Sequence, residues 1–119
     1  MNLESKVNYL GALTELYDLP NDGRVYMVRV NPFCTRGNHY HKIQHEEFVV
    51  VNGEGTINLR KLGTDKIESY RCNGNNMQRI SIPPYYVHNI VAGDSQFTLL
   101  AWSTIKYDPK NTDTYLEVI

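Results

Sequence analysis

Apolar and polar positions alternate in short runs along almost the whole chain. Val25 and Met27 alternate with polar or aromatic neighbours over 24–30. Phe48 and Val50 share a parity with Glu46 in the run 46–51, and Ile57 and Leu59 alternate with Asn58 and Arg60 over 56–62. Further runs occupy 66–72, 78–82, 87–92 and 96–102. Turn-forming clusters separate them, among them "NGEG", "GTD", "NGNN", "PP" and "AGDS". No segment sustains a helical period for three turns. Many short strands joined by close turns predict an all-β barrel or sandwich. The stretch Leu3–Leu16 can add an edge strand. The tail "YDPKNTDTYLEVI" turns from polar to apolar, which predicts a segment that crosses the surface and docks its last residues. Trp102 ends an apolar strand and reads as core.

Composition adds bounds. At 119 residues the chain suits one domain, 1–119, with no repeat, low-complexity tract or linker. A net charge of −1 shows no bulk bias toward nucleic acid or anionic membrane. The first residues carry an early acid and no long apolar stretch, so neither a signal peptide nor a membrane span is expected. Cys34 and Cys72 fit neither CxxC nor a disulfide framework, which predicts free thiols in a reducing cytoplasm.

One stretch does not fit a plain barrel. "RGNHYHKIQHEEFVVVNG", from Arg36 to Gly53, gathers three of the four histidines and two adjacent glutamates, then enters an apolar strand and a turn. Residues two apart on a strand share a face, so His39 and His41 project together. A four-residue gap then places Glu46 at the start of the next strand, on the face that becomes apolar at Phe48 and Val50. Imidazoles plus a carboxylate suit a borderline divalent cation. A further ligand is needed, and His88 is available in "PPYYVHNI", where Pro83 and Pro84 separate two strands. An isolated HxH is more often a polar strand face. Glu46, Gly53 and His88, all in place together, favour a metal. His45 and Glu47 fall outside the pattern and are expected to face solvent.

The run from Gly37 to Gly53 resembles the first cupin motif, and Pro83–His88 the second. Two positions depart from that family: Tyr85 stands where a glycine is usual, and Ala92 where an asparagine is usual. The resemblance implies a cupin double-stranded β-helix, or jelly-roll barrel. It also implies one divalent ion held by His39, His41, Glu46 and His88, zinc first, with nickel, manganese or iron(II) as alternatives. Longer stretches, "ALTELYDLPNDGRVYMVRVNP", "TRGNHYHK", "EEFVVVNGEGTINLRKLGTDKIESY", "ISIPPYYVHNI" and "WSTIKYDPKNTDTY", narrow it further. They resemble the C-terminal cupin domain of bifunctional capsular-polysaccharide enzymes acting on UDP-sugars. In those enzymes a reductase domain precedes the cupin, and the cupin epimerises C3 of a 4-keto sugar nucleotide. The chain shows no dinucleotide-binding segment, so it reads as a stand-alone version or an excised domain. "RGNHYHK" is also similar to the signature of the dTDP-4-keto-6-deoxyglucose 3,4-ketoisomerases, where the metal-position glutamate is generally missing.

Epimerisation next to a carbonyl needs an acid to stabilise the enolate and two proton-transfer groups. Metal-bound histidines are poor bases, so the resemblance directs the search to Lys42 as base, with Tyr40 and Tyr85 as acids or donors. Arg36 and Arg60 can hold a diphosphate by charge-assisted bonds. Tyr26 and Tyr86 can line a sugar or base site. The competing expectations are a ketoisomerase, a metal-dependent dioxygenase and a non-catalytic sugar-nucleotide binder. A homodimer, paired through sheet edges or the N-terminal strand, is expected from the fold class.

Overall fold

The computed structural model describes residues 1–119. Its strands are β1 (Ser5–Asn8), β2 (Gly11–Asp18), β3 (Arg24–Val30), β4 (Thr35–Tyr40), β5 (Glu46–Asn52) and β6 (Glu54–Lys61). They continue with β7 (Ile67–Asn73), β8 (Arg79–Ile82), β9 (Tyr86–Ala92), β10 (Phe97–Ser103) and β11 (Tyr115–Leu116). The only other regular element is a 3-10 turn at Pro20–Asp22. Every alternating run from 24 to 102 predicted as a strand is one, to within two residues, whereas Leu3–Leu16, expected as one edge strand, spans a hairpin of two, β1 and β2. One six-stranded sheet has the order β1-β2-β3-β10-β5-β8, and a five-stranded sheet has the order β11-β4-β9-β6-β7. All pairings are antiparallel. From β3 to β6, and again from β7 to β10, the chain changes sheet at each connection. That winding produces the expected jelly-roll barrel.

The alternating faces meet in one apolar cluster. Tyr26, Val28, Val30, Phe48, Val50, Phe97, Leu99 and Ala101 of the first sheet pack with Ile57, Leu59, Ile90 and Ala92 of the second. Ile57 and Leu59 point inward as the alternation predicts. On β3 both parities are largely apolar, and the inward set is Tyr26, Val28 and Val30, with Val25 and Met27 on the outer face. Trp102 differs from its reading as core. Ala101 and Ser103 take the inward positions of β10, and Trp102 between them is 38% exposed.

Two backbone positions shape the end of the barrel that concerns function. Gly37 has φ +97, and a Cβ there would lie 2.8 Å from the His88 carbonyl oxygen. Only glycine accommodates both, and the β4–β9 register shifts between Gly37 and His39 as a result. Tyr85 occupies the position where a cupin glycine was expected and adopts φ 65. Its backbone explains why that geometry is kept: its N–H donates to the His41 carbonyl at 2.7 Å, and its own carbonyl accepts from the Leu62 N–H at 2.8 Å. The C-terminal segment crosses the surface and docks as predicted, but through strand pairing and Glu117, with Leu116 and Val118 left exposed. Tyr115 pairs with Tyr40, and Glu117 bonds Arg60 at 2.8 Å.

Candidate metal centre

The two sheets bring four side chains to one end of the barrel. Opposite His88 on β9 in the same sheet stands His39, the last residue but one of β4. His41 follows immediately, and Glu46 opens β5 in the other sheet. The three imidazole rings lie 4.7–5.2 Å apart, centroid to centroid. One ring nitrogen from each falls within 4.8 Å of the others. Glu46 Oε1 is 2.7 Å from His41 Nε2 and 3.6 Å from His88 Nε2. His41, Glu46 and His88 are buried, and His39 is half-buried.

Supporting bonds aim these groups. His88 Nδ1 donates to the Tyr86 carbonyl at 3.0 Å, and His41 Nδ1 donates to the Asp113 carbonyl at 2.6 Å. Each bond leaves Nε2 as the free lone pair facing inward. The Tyr26 hydroxyl donates to Glu46 Oε2, which leaves Oε1 free. The result is a cluster of buried atoms without partners: His41 Nε2, His88 Nε2 and Glu46 Oε1. His41 Nε2 and Glu46 Oε1 are close but not aligned as donor and acceptor. Three unpartnered buried atoms aimed at one point are costly, and a cation satisfies all of them.

Protonation fits the same reading. Burial, then the neighbouring His88 and His41, push the His39 pKa down to about 3. Burial likewise lowers that of His88. Burial alone would raise Glu46, but the close approach and charge of His41, the charge of His88 and the Tyr26 bond hold it at about 2. Burial opposes protonation of His41, yet the Glu46 carboxylate and the Asp113 carbonyl outweigh it and raise the pKa. Two neutral imidazoles, a third that sheds its proton on metal binding, and an ionised carboxylate form a donor set suited to zinc, nickel, manganese or iron(II).

The cluster opens into a cavity of about 260 Å³. Its walls include Tyr26, Arg36 and Gln44 from the barrel, Lys6 and Glu15 from the first hairpin, and residues 105–108 and 111–114 from the C-terminal strap. Glu15 pairs with Arg24, whose guanidinium lies 4.2 Å over the Tyr26 ring. Lys6 sits 4.2 Å over the Tyr107 ring. Arg36 Nη1 is buried without a partner, and burial lowers the Arg36 pKa. The cavity therefore offers a guanidinium with no acid committed to it.

The structure brings together only some of the residues singled out from sequence. His39, His41, Glu46, Tyr26 and Arg36 line the cavity, and His88 joins the same cluster from an adjoining smaller hollow. Tyr26 has its hydroxyl engaged by Glu46 rather than presented to a ligand. Lys42, Tyr40, Tyr85, Tyr86 and Arg60 do not line it. Lys42 is exposed with its Nζ 4.2 Å over Tyr115, and Tyr40 stacks on the same ring. Tyr85 faces solvent, Tyr86 packs against the core, and Arg60 is bonded to Glu117 and the Thr64 carbonyl. His45 and Glu47, expected to face solvent, form a partly exposed pair 3.3 Å apart. The strap residues, above all Asp113, were missed. Nothing local in "NTDTY" marks a wall of a cavity whose His41 lies 72 residues earlier.

Comparison with known proteins agrees with this fold. The family described as polysaccharide biosynthesis C-terminal domain matches residues 6–115. A Pseudomonas aeruginosa protein named UDP-2-acetamido-2,6-beta-L-arabino-hexul-4-ose reductase is 26% identical over 106 residues, covering 88% of this chain and 28% of its own. The crystal structure of the capsular polysaccharide assembling protein CapF from Staphylococcus aureus superposes with a TM-score of 0.95 at 33% identity. That match covers 100% of this chain and 32% of CapF. A Lactobacillus farciminis oxalate decarboxylase, 14% identical with a TM-score of 0.77 over 96% of this chain and 33% of its own, shares the cupin fold. The chain thus spans about a third of these larger proteins.

Proposed function

The chain belongs to the polysaccharide biosynthesis C-terminal domain family, and on that premise we propose that it is a metal-dependent epimerase acting at C3 of a 4-keto-6-deoxy sugar nucleotide during surface-polysaccharide synthesis. The observation that carries this is the convergence of three imidazoles and one carboxylate, their free atoms unpartnered, beside a cavity with an uncommitted guanidinium. The name of the Pseudomonas relative specifies a UDP-linked hexul-4-ose. Such a 4-keto sugar has an acidified hydrogen on C3. Hydride transfer is not assigned to these residues, which build no βαβ unit.

His39, His41, Glu46 and His88 would hold the ion. When bound, it supplies a Lewis acid beside the C4 carbonyl oxygen. Arg36 anchors the anionic part of the nucleotide by charge-assisted bonds. Proton transfer falls to groups that line the cavity, namely Lys6, Lys106 and Tyr107, rather than to Lys42. One group takes the C3 proton, the electron pair shifts into the enolate, and a proton returns to C3 from the opposite face. No oxidant is consumed. A homodimer through the exposed edge of β1, and a cytoplasmic setting suited to the free thiols of Cys34 and Cys72, complete the reading.

The test is incubation with a UDP-4-keto-6-deoxy sugar in deuterium oxide. Deuterium at C3 with inversion supports the proposal. Migration of the carbonyl to C3 indicates a ketoisomerase. An unlabelled but bound substrate indicates a binding module, and oxygen uptake with iron(II) a dioxygenase.

A further inference from the structure

We propose that Asp113 is a positioning residue for the metal centre, acting through the turn that joins His41 to Glu46. The inference rests on the metal reading above. Residues 41–45 cross from one sheet to the other, so their backbone groups have no neighbouring strand to bond. Backbone N–H groups need partners, from the protein or from water. Three successive ones, of Lys42, Ile43 and Gln44, are taken by a single carboxylate: Asp113 Oδ1 accepts from Lys42 at 3.0 Å, and Oδ2 accepts from Ile43 and Gln44 at 2.9 Å each. This is a backbone nest closed around an anion supplied by the protein itself. The next N–H, of His45, donates to Thr104 Oγ1 at 3.0 Å, so the same strap completes the set.

The nest fixes more than the turn. With the carboxylate docked, the Asp113 carbonyl is held 2.6 Å from His41 Nδ1. That bond selects the tautomer and ring angle that leave Nε2 for the metal. Gln44, at the end of the nest, is held in turn by the Ser103 hydroxyl, which donates to its amide oxygen at 2.6 Å. One side chain therefore orders the loop between two ligands and, through its own backbone, one ligand directly. The far end of the strap is anchored separately. Arg60 holds Glu117, Tyr40 stacks on Tyr115, and the Glu117 N–H donates to the Asn38 carbonyl. Loss of the Asp113 carboxylate should loosen His41 without releasing the whole strap.

The experiment measures zinc affinity by competition with a chromophoric chelator, alongside thermal melts of the metal-free proteins. Wild type, Asp113→Ala, Asp113→Asn and Glu117→Gln are compared. Asp113→Ala should weaken zinc binding about 10–100-fold, the usual range for the partner of a ligand. Asp113→Asn keeps an acceptor oxygen and should lose less. Glu117→Gln should lower the melting temperature yet bind zinc as wild type does, which separates positioning from general strap stability. Zinc affinity of folded Asp113→Ala within threefold of wild type overturns the proposal. If that variant does not fold, an unchanged affinity in Asp113→Asn overturns it. A wild-type protein that binds no zinc, nickel, manganese or iron(II) overturns the metal reading itself, a result distinct from failure of the Asp113 variants.

Discussion

Replacing Tyr26 with phenylalanine deletes one oxygen from the interior and leaves the ring in place. The ring is buried at 4% exposure, packed in the core and covered by the Arg24 guanidinium at 4.2 Å. None of that packing changes. What is lost is the hydroxyl that donates to Glu46 Oε2. A hydrogen bond to a charged group contributes about 1.5–3 kcal/mol, and a buried carboxylate oxygen left without a donor keeps its desolvation cost. For 119 residues the unfolding entropy near the midpoint is about 0.25 kcal/mol/K. The melting temperature of metal-free Tyr26→Phe should then fall by roughly 6–12 °C. Glu46 would also lose one of the bonds that keep it ionised, and freedom to rotate would cost zinc affinity about tenfold or more. Melts in excess chelator give the first quantity and chelator competition the second. A midpoint within about one degree of wild type, with unchanged zinc affinity, would show that Tyr26 does not hold Glu46 and that the orienting role assigned to it is mistaken.

Three further outcomes are expected. His41→Ala and Glu46→Ala each remove a ligand and should lower zinc affinity by more than about 100-fold, beyond the range for supporting residues; full metal content after purification without chelator would exclude them as ligands. Arg36→Ala should raise KM for the sugar nucleotide about 10–100-fold, the loss of a charge-assisted bond of about 1.5–3 kcal/mol, and Arg36→Lys should recover part of it. An unchanged KM in Arg36→Ala removes it from substrate binding. Burial raises the Cys72 thiol pKa, while Cys34 is half-buried. A thiol reagent should therefore modify Cys34 quickly and Cys72 only as the protein unfolds. The sign of the pH effect follows: Cys72 contributes its stability below the usual thiol range, and loses it as pH rises through the folded value. Equal labelling rates at the two thiols would contradict the packing around Cys72.

Much of the fold could be read from the chain because strand alternation and turn chemistry are local. Ile57 and Leu59 face the core while Asn58 and Arg60 do not, and the glycine needed at Gly53, with φ +81, sits where the turn was expected. The grouping of His39, His41 and Glu46 was likewise local, since parity sets the side of the strand and one short gap carries the chain to the facing sheet. Where both faces of a strand are apolar, alternation lost its power. Val25 and Met27 were no less apolar than Val28 and Val30, and only the packing of two sheets decided which set lay inside.

The cavity was decided by tertiary structure alone. Lys42 is next to His41 in sequence, but the turn that crosses between sheets sends it outward onto Tyr115. Tyr85 lies three residues before His88, yet its backbone bonds the His41 turn while its ring faces solvent. Arg60 sits on a well-predicted strand and is consumed by the docking of Glu117. Lys6, Arg24, Lys106, Tyr107 and Asp113, distant in the chain, supply walls and support because β1, β3 and the strap converge on that end of the barrel. A residue's own neighbours set its strand and its parity. Which distant groups meet it depends on how the sheets close, and that is a property of the whole chain's packing.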